Sequence, residues 1–289
     1  MQAYISRLPV KAFALTSDMM FISQSASRIA RGVFEIALSR GWISYAEKAL
    51  RLSKAIERRM WPMQTPIRQI GGQREDIYQK VEAKRADANT LREMAVGEIG
   101  QLVTNQRAAH GIKAEVEMLP HLTIDVVPQP ITRTVLKVTL TLTAEFHWVE
   151  KHHGSVERFW VWVEDTENEH IYHKELFLLH KLKKDEPAEL SFTIPLFEPL
   201  PPQYFVRAIS ERWIGCETIV PLPLYELTLP QATAAHTALL DLRPLPRSAV
   251  GDPKWESIFP FDHFNPIQTQ IFHTVYHSDD NVLVGAPTG

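Results

Sequence analysis

Sixteen of the chain's 20 prolines fall between Pro120 and Pro266. Proline has no backbone donor and clashes with the preceding helical turn, so it is kept out of helix interiors. The first 119 residues are therefore free to be helical. The stretch from Pro120 onward must be built mainly from strands and turns. A chain of 289 residues leaves room for about two domains of ordinary size. Its 45% hydrophobic and 22% charged residues exclude a disordered or collagen-like chain. Cys216 is the single cysteine, which excludes an internal disulfide and predicts a reducing compartment. No apolar run approaches the ~18 residues of a membrane span. The start, MQAYISRLPVK, lacks the apolar stretch of a secretory leader.

The periodicity obeys the same boundary. Ser17 and Asp18 precede a segment in which Ile22, Ala26, Ile29, Val33 and Ala37 recur at helical steps, predicting an amphipathic helix over 18–41 that stops at Gly41. Ser44 and Glu47 have capping-box spacing, and Tyr45, Ala49, Leu52, Ile56 and Met60 form a second stripe that Pro62 ends. Residues 75–84 read as a short helix carrying Ile77 and Val81. Thr90 and Glu93 offer another capping box. From Leu91 to Leu119, Gly97, Gly100 and Gly111 break the pattern into short turns, predicting a small helix-hairpin-helix unit.

After Pro120 the period becomes two. Leu136, Val138, Leu140 and Leu142 alternate with Lys137, Thr139, Thr141 and Thr143, as in a half-buried strand. Comparable runs at 122–127, 159–165, 170–178, 189–195, 204–210 and 217–223 bring the number of strands to seven. Seven strands in about 105 residues fit a β-sandwich of the immunoglobulin or fibronectin type. Trp160 and Trp162 share a strand face and are assigned to the sandwich core. His170 and His173 lie three apart on a strand and point to opposite faces, so no metal site is expected there. Beyond Pro230, Leu239, Leu240, Leu242 and Leu245 with Pro244 and Pro246 make an apolar strip too greasy for a free tether. It is expected to lie buried against a neighbouring domain. Residues 256–276 turn helical again, and NVLVGAPTG reads as a buried strand running into a glycine turn.

Charge divides along the chain as well. Residues 1–120 hold 18 Lys and Arg against 12 Asp and Glu; residues 121–289 hold 13 against 22. A basic front suits a polyanion and an acidic rear suits a protein, although two solvated surfaces would read the same way. On the first helix Gln24, Arg28, Arg31 and Glu35 share one stripe at ~100° per residue. Arginine's planar fork suits phosphate. Taken alone, the stripe reads equally as a solvated face with an internal Arg31–Glu35 pair.

The last nine residues carry the most chemistry. A strand followed by Gly285, Ala286, Pro287, Thr288 and Gly289 matches the front of a phosphate-binding loop, whose lysine and Mg²⁺-binding hydroxyl would come later. By itself it is half a motif, and a plain turn reads the same way. Upstream, FNPIQTQIF places Gln268 where its amide can donate to and accept from an adenine edge.

With SDMMFISQSASRIARGVFEIALSRGW, RRMWPMQTPIRQ, QPITRTVLKVTLTLT, FEPLPPQYFVRAISERWIG and LLDLRPLP, this ending resembles the large two-cassette DExH helicases of superfamily 2, the superkiller-like group. RTVLKV, WVWVEDTENEHIYHKE and QTQIFHTVYH look closer to the cointegrator-complex branch of that family; SDDNV looks closer to the spliceosomal branch. The resemblance implies a multidomain α+β chain. Its parts are the end of a helical bundle at 1–70, a helix-hairpin-helix unit at 71–122, an immunoglobulin-like sandwich at 123–229, a linker at 230–255 and the start of a RecA-like domain at 256–289. A related unit occurs in a translocon subunit of the endoplasmic reticulum.

The resemblance also implies an ATP-driven helicase moving 3′ to 5′, with ATP and Mg²⁺ as cofactors of the longer protein. Gln268 and residues Gly285 to Gly289 would touch the nucleotide, and this chain alone would be inactive. The 18–41 helix would be a ratchet helix whose Gln24, Arg28, Arg31 and Glu35 meet single-stranded RNA or DNA. Partner proteins and a second cassette would dock on the sandwich, in the nucleus or cytoplasm, without a membrane. Ribosome quality control or DNA repair is the implied setting, with splicing or a non-catalytic docking module as alternatives.

Overall fold

The computed structural model describes residues 1–197, 199–225, 227–230 and 239–285. They fall into two units, Met1–Pro230 and Gln231–Gly289. In the first, a helical part is followed by two antiparallel sheets, so the α+β class expected from the proline boundary holds.

A one-turn helix α1 (Gln2–Ile5) leads to α2 (Phe13–Ser39) and α3 (Ile43–Arg58). Helix α2 starts at Phe13, five residues before the expected start at Asp18, and the Thr16 hydroxyl bonds back to the Ala12 carbonyl at 3.1 Å. Gly41 turns the chain with φ +74°, a left-handed value that glycine adopts without strain. Ser44 does not cap α3. Trp42 holds that position, Ser44 donates to Glu169 at 3.5 Å, and Glu47 pairs with Arg51 and Arg207. The expected box is lost because charged partners on α3, on β6 and in the β3–β4 turn engage both side chains.

Next come one 3-10 turn (Pro66–Gln69) and four short helices: α4 (Glu75–Ala83), α5 (Ala88–Glu93), α6 (Val96–Leu102) and α7 (Gln106–Met118). The glycines are not the breaks. Gly97 and Gly100 lie inside α6 and Gly111 inside α7. A Cβ on Gly100 would meet only the amide end of the exposed Gln106 side chain. Asp87, not Thr90, caps α5, accepting from the Thr90 amide at 2.7 Å. Ile77, Val81, Leu91, Ile99, Ile112 and Val116 form the core of this part, which Trp213 and Cys216 complete.

All seven expected strands are present. They are β1 (Leu122–Pro130), β2 (Val135–Ala144), β3 (Val156–Asp165), β4 (His170–His180), β5 (Ala188–Pro195), β6 (Gln203–Ser210) and β7 (Glu217–Pro223), with a short α8 (Glu150–His153) before β3. One sheet has the order β1-β2-β5 and the other β4-β3-β6-β7. The alternating leucines and valine of β2 pack with Phe159, Val161, Val163, Tyr204, Val206 and Leu222 in one core cluster. Trp160 and Trp162 are not in it. They face the other way, with Ile171 and Ile209, and pack with Phe34, Leu38, Ala46 and Leu50 of the two long helices. Strand β3 is thus covered on both faces, which is why WVWVED reads as a continuous apolar run rather than a clean alternation.

The second unit holds α9 (Pro253–Glu256) and α10 (Pro266–His277). The expected helix over 256–276 forms only in its last part, because Pro260 interrupts it and Asn265 and Pro266 restart it. Leu239, Leu240 and Leu242 are exposed, contrary to the expected buried strip. The segment is held by its backbone instead: the Leu240 amide donates to Gln270 at 2.8 Å and Phe264 donates to the Leu245 carbonyl at 2.8 Å. Residues 281–284 form no strand, and Leu283 is exposed. A buried strand needs paired neighbours, and none pairs with it among the described residues. Residues 231–238 of the expected linker and 286–289 of the expected loop lie outside the described residues.

Candidate functional site

Helix α2 puts Gln24, Arg28, Arg31 and Glu35 on one side, as the spacing requires. Gln24, Arg28 and Glu35 are exposed and Arg31 is half-buried. The Arg31–Glu35 pair anticipated for a solvated face forms, Nε to Oε1 at 3.1 Å. Arg31 also pairs through Nη2 with Glu211, a partner no sequence spacing indicated. The Glu211 hydrogen bond outweighs burial and raises the Arg31 guanidinium above its ordinary pKa.

The apolar side of α2 differs from the expected stripe. Ala30, Phe34, Ala37 and Leu38 are buried, whereas Ile22, Ile29 and Val33 are exposed. On α3, Tyr45 and Leu52 are exposed too. These side chains line an apolar trough of about 710 Å³. The apolar arc of α2 is wider than the face the sheet covers, so sequence periodicity marked its middle rather than its packed edge.

Lys54, Arg58, Arg158 and Arg212 gather at the turn between β6 and β7. Lys54 is fully buried and donates to the carbonyls of Ser210 at 2.8 Å and Trp213 at 3.0 Å. Burial lowers its pKa to about 8. Arg58 donates to the Arg212 carbonyl at 3.1 Å. Gln69 holds Ile214 by both its carbonyl and its amide. Buried beside Lys54, the Cys216 thiol is pushed up to about 12, which makes it a packing residue rather than a nucleophile. Arg158 and Arg212 stand at the edge of the same turn, pairing with Glu211 at 3.5 Å and Glu157 at 3.2 Å.

In the second unit Gln268 forms a reciprocal cap with Asn265. Its Oε1 accepts from the Asn265 amide at 2.9 Å, and Asn265 Oδ1 accepts from the Gln268 amide at 2.8 Å. The side-chain oxygen that would read an adenine donor is thus bonded to its own helix start. Gln268 also lines an apolar cleft of about 310 Å³ with Trp255, Phe264, Phe272 and Tyr276. Gly285 is exposed in open space; Ala286, Pro287, Thr288 and Gly289 lie outside the described residues. Among the described residues no group of three or more His, Cys, Asp or Glu converges on a metal position. Among the described residues no helix is long and apolar enough to cross a membrane.

Residues 1–223 match the Sec63 Brl domain family. Three curated relatives are similar over the whole chain. A DExH-box ATP-dependent RNA helicase, DExH12, of Arabidopsis thaliana is 47% identical, with 13% of its length covered. A U5 small nuclear ribonucleoprotein 200 kDa helicase of Drosophila melanogaster is 48% identical, with 14% covered. An activating signal cointegrator 1 complex subunit 3 of Gallus gallus is 45% identical, with 13% covered. The chain thus spans about an eighth of the length of these relatives, and the near-equal identities do not separate the spliceosomal from the cointegrator branch. The chain belongs to the Sec63 Brl domain family, in the form found within the large DExH helicases.

Proposed function

We propose that this chain is the strand-guiding and docking part of a longer ATP-dependent nucleic-acid helicase. In this reading α2 is the ratchet helix, α4 to α7 are the helix-hairpin-helix unit, and the two sheets are an immunoglobulin- or fibronectin-like sandwich. Residues 256–289 begin a RecA-like domain whose ATP and Mg²⁺ site is completed by other segments. The observation that carries the reading is the exposure of Gln24, Arg28 and Glu35 on a helix whose neighbouring side is fixed to a sheet. Such a helix presents polar groups from a rigid support. The basic balance of residues 1–120 supports a polyanion nearby.

RNA or DNA, and a role in splicing, ribosome quality control or DNA repair, would depend on the complex the longer protein joins, in nucleus or cytoplasm. The sandwich would carry partner proteins and the second cassette. Photo-crosslinking of a 4-thiouridine single strand, with peptide mapping of the adducts, tests the reading. Adducts should concentrate on residues 13–39. Adducts concentrated on the β1-β2-β5 sheet would refute it.

The exposed trough of Ile22, Ile29, Val33, Tyr45 and Leu52 favours a second reading, in which the helical part is a protein-docking module only. Absence of any single-strand adduct would favour it.

A further inference from the structure

Arg28 and Arg31 sit one turn apart on α2, but their surroundings differ. Arg31 faces two carboxylates, Glu35 at 3.1 Å and Glu211. Glu211 is only 8% exposed, so releasing Arg31 to a phosphate would leave a buried carboxylate without its closest partner. Arg31 is therefore committed to holding α2 against the β6–β7 turn. Arg28 is exposed and has no ion pair among the described residues.

A further exposed cation stands at the β6–β7 turn. Arg158 of β3 keeps 57% of its side chain exposed, and among the described residues its one ion pair is the long 3.5 Å contact to Glu211 Oε2. Its position is fixed from below, because its carbonyl accepts from the Glu211 amide at 2.9 Å. Arg31, Arg158 and Glu211 line one polar cleft of about 550 Å³ together with Glu57, Glu157 and Arg212. Glu211 thus lies between two guanidinium groups, one belonging to α2 and one to the sheet.

We propose that the phosphodiester path leaves α2 at Arg28 and continues onto the sandwich at Arg158, with Arg31 acting as a strut held by Glu35 and Glu211. This rests on the reading that α2 faces single-stranded nucleic acid. It also gives the acidic half of the chain one local contact with the strand. An exposed guanidinium with one weak partner exchanges it for a phosphate at little cost, whereas a doubly paired one does not.

The test is binding of labelled oligothymidine to the 289-residue chain, measured by anisotropy between about 50 and 200 mM salt. Arg28→Ala and Arg158→Ala should each flatten the slope of log affinity against log salt by about 0.7, the contribution of one single-strand phosphate contact. Arg158→Lys should keep the slope, showing that charge rather than fold is read. Arg31→Ala should leave the slope unchanged while lowering the thermal midpoint. A slope flattened by Arg28→Ala but not by Arg158→Ala would confine the path to α2 and overturn the extension alone. Slopes unchanged by both would overturn the reading of α2 itself. A slope flattened by Arg31→Ala with an unchanged midpoint would make Arg31 a contact and remove the strut.

Discussion

Arg207 of β6 reaches Glu164 of β3 with Nη2 to Oε1 at 3.0 Å, and the other Glu164 oxygen accepts from the Trp162 indole at 2.7 Å. Glu164 is 1% exposed. Arg207 extends the contact outward to Glu47 of α3 at 3.3 Å and Glu217 of β7 at 3.2 Å. One guanidinium therefore joins three strands and a helix. Arg207→Ala strands a buried carboxylate and should lower stability by ~3–5 kcal/mol. Denaturant unfolding of the variant measures this; a loss below ~1 kcal/mol would show that Glu164 finds another partner or a proton.

Glu115 on α7 gives a pH signature. It is buried, it accepts from Gln73 Nε2 at 3.1 Å, and its other oxygen has no partner. Burial pushes its carboxyl up to about 7 from an ordinary 4.5. The folded chain then holds a proton that the unfolded chain has released, so stability falls as pH rises from the unfolded value through the folded one. Above that window the loss reaches an order of ~3 kcal/mol. Glu115→Gln should be more stable than the parent at pH 8 and nearly equal to it near pH 4.5 or below. Equal thermal midpoints at both ends of that range would remove the assignment.

His121 works with the opposite sign. Burial, then the Arg92 charge, lowers its pKa to about 4. The unfolded histidine binds a proton that the folded one refuses. Its contribution is complete above the ordinary pKa of ~6.5 and is lost as pH falls towards the folded value. His121→Gln should flatten the acid side of the stability curve and leave the alkaline side alone, as thermal melts between pH 4 and 8 can show.

Gly215 has φ +70°, and a Cβ there would lie 2.4 Å from Pro66 Cγ. Gly215→Ala therefore combines a disfavoured backbone with a rigid ring in the way. A loss of ~2 kcal/mol or more is expected from denaturant unfolding. The neighbouring Cys216 thiol should stay silent to a disulfide reagent in the folded chain and react once on unfolding; rapid reaction under native conditions would contradict its burial.

Leu240→Asp should cost little, within ~0.5 kcal/mol, since the side chain it replaces is 55% exposed. Denaturant unfolding checks it, and a larger loss would restore the buried strip that apolar composition suggests.

That contrast shows where local reading stops. The seven strands were legible because period two and proline act within a few residues. The side on which Trp160 and Trp162 pack was not, because a strand covered on both faces has no polar side to mark the outside. Along the chain Arg31 differs from Arg28 by the Glu35 spacing alone; the second carboxylate comes from residue 211, which returns to α2 from far away in sequence. Ser44 and Glu47 have the spacing of a cap, yet Glu169, Arg51 and Arg207 decide their use. Gln268 shows the reverse case, in which a residue singled out for ligand chemistry has a local structural duty as well.

The packing of β3 between the helices and the second sheet sets where this chain can be divided. A piece beginning at Leu122 would keep every strand but lose Phe34, Leu38, Ala46 and Leu50, baring Trp160, Trp162 and Ile209 to water. Such a piece should self-associate or stay insoluble. An α2–α3 peptide would lose the same partners from the other side. Gene duplication or domain shuffling would therefore move this region as a block, because the helices and the β3 sheet each cover an apolar face of the other.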